Sequence, residues 1–247
     1  MTRARGPRAR VARSFAASLA VLAGVGAITY RHIMFPPVPR RRDAQVTIAA
    51  VGDSNTYGAG ALLRGRHLHS YPAQLERILG GGYQVLNYGV NRCTLQQEGD
   101  WPYDATPQAT ASLQAGADIV LIMLGSNDAR GDNWNAERYR SQLVAFVERY
   151  RTRGATVFLL TPPVAFPNRR RVHERIIADE VAPIVRAVAS TLGVDLIDVF
   201  DVTSQSVTRH PDGIHLDVRA SALVAEAVAD AIRMPQRPGH PHTHPDG

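Results

Sequence analysis

Five short apolar segments, separated by stretches with helix character, constrain the fold of this 247-residue chain more than any other feature. The clearest is Asp118–Leu124, which reads DIVLIML. The other four predicted strands are Val46–Val51, Gln84–Asn87, Val157–Leu160 and Val194–Val199. Strands without polar alternation are typical of a parallel sheet that helices cover on both faces. The sequence therefore predicts an α/β domain with five parallel strands.

Helix signals fill the intervals between these strands. The predicted N-cap residues are Ser70, Thr106, Asn135 and Asp217. Glycines follow several of the predicted helices, as helix ends require. Pro183 is expected to kink the long helix that ends at Leu192, because proline lacks the backbone N–H of a regular helix. We predict a single domain over residues 44–234.

The N-terminal segment indicates export. Residues 1–43 hold nine arginines and one acid, Asp43, and Ser14–Tyr30 is uncharged and rich in Ala, Val and Leu. A basic segment before an apolar one is typical of an export signal, and seventeen residues are close to the minimum for a membrane span. Residues 1–43 are thus expected to be a cleaved signal or an anchor through residues 14–30, with a Pro- and Arg-rich tether over Pro36–Asp43. The catalytic domain is expected outside the cytoplasm.

Charge and cysteine content argue against several function classes. Residues 44–247 carry nineteen arginines and twenty-one acids, so the net charge of +6 belongs to the N-terminal segment and does not favour nucleic-acid binding. Cys93 is the only cysteine, which excludes a disulfide within the chain and a cysteine-based zinc site. Residues 235–247 are rich in Pro and His and are expected to be disordered. Metal binding by the alternating histidines of this tail is the weaker alternative.

Polar clusters follow four of the predicted strands. The clusters are 51–58 (VGDSNTYG), 87–89 (NYG), 125–128 (GSND) and 212–215 (DGIH). The carboxyl ends of parallel strands meet at one edge of a sheet, where ligands bind. We therefore expect these clusters to converge on one site.

The residue types in these clusters are those of a serine hydrolase. Ser54 is the candidate nucleophile, His215 the base, and Asp212 the acid that orients the imidazole through Nδ1. The backbone N–H groups of Ser54 and Gly89 and the side-chain amide of Asn127 are candidate oxyanion donors. Gly89 is expected to let the backbone approach the substrate closely. Activity is expected to rise with pH as the base loses its proton, near 6.5 for an ordinary histidine.

Taken together, the clusters resemble those of the SGNH, or GDSL-type, hydrolases, over nearly all of residues 46–232. The resemblance implies a three-layer α/β/α, flavodoxin-like fold and ester hydrolysis without a metal or organic cofactor. It assigns Ser54, Asp212 and His215 to catalysis, and Gly89 and Asn127 to the oxyanion hole. Two features depart from the family pattern. Asn55 follows Ser54, where Leu or Ile is common, and residues 91–93 (NRC) replace a frequent second glycine.

The substrate is less well defined by the sequence. Residues 99–103 (GDWPY) and 125–134 resemble a bacterial branch that includes carbohydrate O-acetylesterases, and short acyl groups, acetyl above all, are expected. The candidate substrate-binding residues are Asp53, Arg92, Trp101, Tyr103 and Trp134. The aromatic members are candidates for stacking on sugar rings or for structural packing. A lysophospholipase or thioesterase, and a cell-envelope glycan O-acyltransferase, remain alternatives, and the oligomeric state stays open.

Overall fold

The computed structural model describes residues 21, 23–204 and 210–234, which divide into two units between Pro37 and Val38. In the first unit, residues 23–34 are helical. No helix within the described ranges combines the length and the apolar character needed to cross a bilayer. Most of the predicted export segment before residue 23, and the predicted tail at 235–247, lie outside the described residues.

Five parallel strands form the sheet of the second unit. They are β1 (Val46–Gly52), β2 (Tyr83–Gly89), β3 (Ile119–Met123), β4 (Thr156–Leu160) and β5 (Asp195–Ile197). Their order in the sheet is β2-β1-β3-β4-β5, the flavodoxin-like order. Gly52, the last residue of β1, pairs with Gly89 on one side and Met123 on the other, so three strands end level with one another. The predicted α/β fold with a five-stranded parallel sheet is confirmed.

Helices connect the strands in chain order. The α-helices described in this unit are α1 (Ser54–Tyr57), α2 (Arg66–His69), α3 (Tyr71–Leu79), α4 (Pro107–Gln114), α5 (Ala136–Arg151), α6 (Glu174–Ile176), α7 (Ala182–Leu192), α8 (Val199–Ser204) and α9 (Val218–Arg233). Short 3-10 helices cover Ala59–Arg64 and Tyr103–Ala105. Side chains of Thr106, Asn135 and Asp217 cap α4, α5 and α9 as predicted, whereas Ser70 precedes α3 without a side-chain capping bond.

The two faces of the sheet are both covered. Alternate residues of β1 point to opposite sides: Ala49 and Val51 join the core with α4, α5 and α7, and Ile48 and Ala50 join the core with α3, α8 and α9. Both sets are fully buried. This double burial explains why the strands lack polar alternation, since neither face meets water.

Pro183 is accommodated by a widened turn directly before it. Residues Ile177–Val181 form a π-helical turn that links α6 to α7, and the Ala182 N–H donates to the carbonyl of Ile177. A wider turn shifts the hydrogen-bond ladder at the point where proline supplies no donor. The predicted break in regularity therefore takes the form of a π turn within the helix.

Candidate active site

The candidate nucleophile lies on a tight turn between β1 and α1. Asp53 caps α1 by accepting a hydrogen bond from the Asn55 N–H at Oδ1 (2.9 Å), and Ser54 is the first residue of the helix. A Cβ atom at Gly52 would overlap the side chain of Thr56 and the carbonyl of Met123, so only glycine fits beneath this turn. The turn fixes Ser54 at the carboxyl end of β1, an interior strand of the sheet.

Ser54, His215 and Asp212 form one continuous hydrogen-bonded series. The Ser54 Oγ lies 2.9 Å from His215 Nε2, and His215 Nδ1 lies 2.6 Å from Asp212 Oδ2. Ser54 and His215 are 6% and 7% exposed, so the imidazole is shielded from bulk water on most sides. The three predicted catalytic side chains are thus brought together, with each ring nitrogen facing one partner.

Asp212 is fixed by its own loop. Burial raises the pKa of this carboxyl, but hydrogen bonds from the His215 side chain and backbone outweigh burial and hold the pKa well below its usual range. The His215 N–H donates to Oδ1 (2.9 Å), and Arg170 Nε lies 3.3 Å from Oδ2. The carboxylate therefore stays charged at neutral pH and can orient a histidine that becomes positive.

Asn55 joins the nucleophile turn to the histidine loop. Its Oδ1 accepts a hydrogen bond from the Leu216 N–H at 3.1 Å, across 161 positions of sequence. A Cβ atom at Gly60 would overlap the carbonyl of Leu216, so a second close contact holds the same two segments together. The departure from the family pattern at position 55 thus has a structural role that the sequence alone did not reveal.

Asp53 and Asn127 contact each other in the loops that follow β1 and β3. The Asn127 amide Nδ2 donates to the Cys93 carbonyl (3.1 Å) and lies 3.5 Å from Asp53 Oδ2. Asp53 is buried, and burial raises its pKa to about 6 despite hydrogen bonds from Asn55 and Ser126 and the charge of His215. Asp53 thus contacts the candidate oxyanion donor and lies inside the protein, away from a substrate.

Asp53→Asn should raise the melting temperature above that of the native protein, and this increase should be larger at pH 8 than at pH 5. Between about pH 4 and 6 the folded protein keeps a proton on Asp53 that the unfolded chain has released, so the free energy of unfolding falls as pH rises. The amide removes this loss, which amounts to about 1 kcal/mol or roughly 3 °C between pH 5 and 8. Melting curves at both pH values measure it.

The exposed Asp230 of α9 supplies the control for this measurement. Asp230→Asn removes one carboxylate without uncovering a buried group, so its effect on the melting temperature should be the same at both pH values. An Asp53→Asn difference that stays constant with pH would contradict the assignment of a proton to buried Asp53.

Gly89 has a packing role that differs from the predicted one. Its N–H donates to Asn87 Oδ1 (2.9 Å), and Asn87 Nδ2 donates to the Thr56 carbonyl (2.8 Å). A Cβ atom at Gly89 would overlap the backbone N of Tyr57. The glycine therefore allows α1 to pack on the end of β2, and its N–H, already engaged, is not free for an oxyanion in this conformation.

Arg92 adopts the backbone conformation that glycine prefers. Its φ is 68°, in the left-handed region where side chains other than Gly and Asn are disfavoured. Within the described part of the chain, the Arg92 N–H makes no hydrogen bond. The next residue, Cys93, accepts from the Asn127 amide. Strained residues of this kind concentrate at functional sites. The Arg92 N–H is free to donate, whereas the Gly89 N–H is engaged.

The three aromatic residues predicted to contact substrate differ in how exposed their side chains are. Trp101 is 39% exposed, whereas Tyr103 is 1% exposed and donates its hydroxyl to the Tyr88 carbonyl. Trp134 is half-buried, packs on Tyr139 and donates Nε1–H to Glu180 (2.8 Å). The prediction that Tyr103 contacts a sugar is therefore wrong for this conformation, because its ring is buried in the core. The Trp134 ring is engaged in packing as well. Trp101 alone of the three is open to a ligand.

Two further features concern the thiol and the possible metal ligands of the described residues. Burial raises the pKa of the Cys93 thiol to about 12, so the thiol stays protonated and unreactive. The described residues contain no group of three or more His, Cys, Asp or Glu side chains arranged to hold a metal ion.

The chain is similar to known ester hydrolases. The family model of GDSL-like lipase/acylhydrolases matches residues 50–223. An acetylxylan esterase of Xylanibacter ruminicola is 30% identical over 217 residues, which cover 79% of this chain and 45% of that protein. The chain thus spans about half the length of this curated relative.

Solved structures share the fold. A protein from Agrobacterium tumefaciens, proposed to be an arylesterase, is 27% identical with a TM-score of 0.62, covering 76% of this chain and 98% of its own. A carbohydrate acetylesterase from Sinorhizobium meliloti is 19% identical with a TM-score of 0.59, and the same shares of the two chains are covered. The family match includes every residue of the Ser54–His215–Asp212 series. The chain belongs to the GDSL-like lipase/acylhydrolase family of ester hydrolases.

Proposed function

We propose that this protein is a serine esterase in which Ser54 is the nucleophile, His215 the general base and Asp212 the acid that orients it. The observation that carries the proposal is the unbroken hydrogen-bonded series from Ser54 Oγ through both nitrogens of His215 to Asp212. Such a series is the arrangement that serine hydrolysis needs.

The reaction follows from this geometry. As Ser54 Oγ attacks the ester carbonyl, His215 Nε2 takes the hydroxyl proton, and the negatively charged Asp212 stabilises the imidazolium. His215 then returns the proton to the departing alcohol, which leaves an acyl group on Ser54. A water molecule, deprotonated by His215, attacks this acyl-enzyme and releases the carboxylic acid and free Ser54.

The tetrahedral intermediates need donors for their oxyanion. The Ser54 N–H, at the first position of α1, makes no hydrogen bond within the described residues. The Asn127 amide donates to the Cys93 carbonyl and contacts Asp53, so it would exchange one of these two partners for the oxyanion. The Arg92 N–H is the third proposed donor, in the place expected for Gly89. Loss of a single such donor typically lowers the rate about 100- to 1,000-fold.

The proposed substrate is a short acyl ester of a carbohydrate, with acetyl as the acyl group. The resemblance to an acetylxylan esterase supports this choice. The exposed Trp101 agrees with a sugar as the alcohol part, since aromatic faces contact sugar rings well. No observation on the molecule favours a long acyl chain or a thioester.

A chain-length series tests this proposal. The catalytic efficiency kcat/KM should be highest for p-nitrophenyl acetate and at least about tenfold lower for the octanoate. A site shaped for acetyl does not bury the longer chain, and so forgoes the roughly 0.8 kcal/mol that burial of each methylene would contribute. Acetylated xylose and glucose derivatives should release acetate. Rising efficiency with chain length would instead indicate a lipase-like or thioesterase substrate, and acetyl transfer to added glycan faster than hydrolysis would indicate a transferase.

We further propose that the protein is exported, with residues 1–43 as signal or anchor and tether, and residues 44–234 as the catalytic domain. The basic and then apolar order of the N-terminal residues supports this location. Cell fractionation with N-terminal sequencing of the extracytoplasmic protein distinguishes a cleaved signal from a retained anchor. Recovery of the full-length protein only in the cytoplasm would contradict the proposal.

A further inference from the structure

The loop of residues 90–103 carries an arginine whose side chain the proposed hydrolysis does not use, beside the tryptophan that is proposed to contact the sugar. The Thr94 N–H donates to the Trp101 carbonyl (2.9 Å), and the Tyr103 N–H donates to the Thr94 carbonyl (2.9 Å). This pairing brings Trp101 back beside Arg92. The central guanidinium carbon of Arg92 lies 5.3 Å from the centre of the Trp101 ring, within the range of a cation–π interaction.

The same loop is attached to the reactive residues on both sides of Arg92. The Val90 N–H donates to the Gly52 carbonyl (3.0 Å), two residues before Ser54. The Cys93 carbonyl accepts from the Asn127 amide (3.1 Å). Arg92 and Trp101 therefore lie at the rim of the site in which an ester carbonyl would meet Ser54.

The positive charge of Arg92 is not neutralised by the acids of its own loop. Asp100 pairs with Arg130 (3.0 Å), and Glu98 pairs with Arg138 (3.4 Å). Arg92 itself is exposed and forms no ion pair within the described residues. A guanidinium held beside an indole ring by a cation–π contact, with no hydrogen-bond acceptor among the described residues, can bind an anion through its N–H groups.

We infer that the Arg92 guanidinium, held over Trp101, binds a negatively charged group on the alcohol part of the ester, so that acylated acidic glycans are the preferred substrates. This inference rests on the proposed esterase function. The carboxylate of a uronic acid fits the two parallel donors of a guanidinium, and a sugar phosphate offers the same chemistry. Neutral acetylated sugars leave Arg92 without a partner.

Matched substrates test the inference. The kcat/KM of the full protein is measured on three monoacetylated sugars: a methyl glucoside, the corresponding methyl glucuronoside, and a glucoside 6-phosphate. We expect at least one anionic substrate to exceed the neutral one by about fivefold, the scale of an exposed ion pair. The larger of the two ratios distinguishes the carboxylate from the phosphate, and either result supports the inference.

Arg92→Asn removes the guanidinium and keeps a residue that tolerates the left-handed backbone. The anionic-to-neutral ratio should fall close to one in this variant. The ratio is taken within each variant, so any change in backbone position or basal turnover cancels. Trp101→Leu should lower the ratio partly, because the guanidinium loses the ring that holds it.

Arg169→Asn is the charge-matched control. Arg169 is exposed, in the segment whose Phe166 N–H donates to the Gly213 carbonyl (2.8 Å). The anionic-to-neutral ratio of kcat/KM in the Arg169→Asn variant should stay at the native value. Equal falls in the Arg92 and Arg169 variants would overturn the Arg92 site in favour of a general field of positive charge. A native ratio near one, with hydrolysis intact, would overturn the inference alone, whereas a folded protein that hydrolyses no ester would overturn the esterase proposal as well.

Discussion

Ser54→Ala should lower kcat for p-nitrophenyl acetate by at least about 10,000-fold, because the serine, histidine and aspartate of such a series act as one unit. The Ser54 Oγ is the only oxygen of the series placed to attack, 2.9 Å from the nitrogen that takes its proton. The folded state loses one hydrogen bond at the edge of the site, a change of about 1 kcal/mol, so the melting temperature should shift by less than about 4 °C.

Ser221→Ala provides the matched control for this substitution. Ser221 is 1% exposed on α9, and its hydroxyl has no hydrogen-bond partner within the described residues. Activity should remain near the native level, and a fluorophosphonate probe should label the Ser221 variant but leave the Ser54 variant unlabelled. Labelling of the Ser54→Ala protein, or turnover within tenfold of native, would rule out Ser54 as the nucleophile.

Gly89→Ala should destabilise the folded protein by about 3 kcal/mol, or roughly 6–12 °C in melting temperature, with a parallel loss of esterase activity. The added Cβ would overlap the backbone N of Tyr57, and backbone cannot move aside as the end of a side chain can. Helix α1 would have to shift, and with it Ser54. Thermal melting and kcat/KM measure the two effects.

Gly81→Ala separates this clash from the general effect of replacing a glycine. A Cβ at Gly81, in the turn before β2, would meet no atom within 4 Å, so stability and activity should stay near native. If Gly89 acted only by donating its N–H to an oxyanion, alanine would keep that donor and the native melting temperature. A Gly89→Ala protein with unchanged stability would therefore contradict the packing role.

The strands and the convergence of the site could be predicted because they depend on local sequence. Both faces of β3 are covered, so residues 119–123 are apolar throughout, and that pattern predicts a parallel sheet wherever it occurs. Asp212 and His215 are three residues apart in one loop, so their contact needs no long-range information. Ser54 could be brought to them because the end of each parallel strand faces the same edge.

Other features depend on tertiary contacts that no local pattern encodes. The aromatic residues Trp101 and Tyr103 stand two positions apart in one loop, yet they are 39% and 1% exposed, because only the second packs against Phe146. The engaged N–H of Gly89 depends on the rotamer of Asn87, and the role of Asn55 depends on a residue 161 positions away. Sequence patterns indicate which residues carry polar groups, whereas partners across the fold decide which of those groups remain free.

The long separation between Ser54 and His215 has a consequence for how the protein folds. The two side chains meet only after nearly the whole domain has been synthesised and the segment before α9 has docked beside the β1–α1 turn. Closing a contact over so many residues is slow compared with pairing β1 and β2, which are much closer in sequence. During refolding, esterase activity should therefore recover later than the far-ultraviolet circular dichroism signal. The rate at which activity returns then measures the last step of folding.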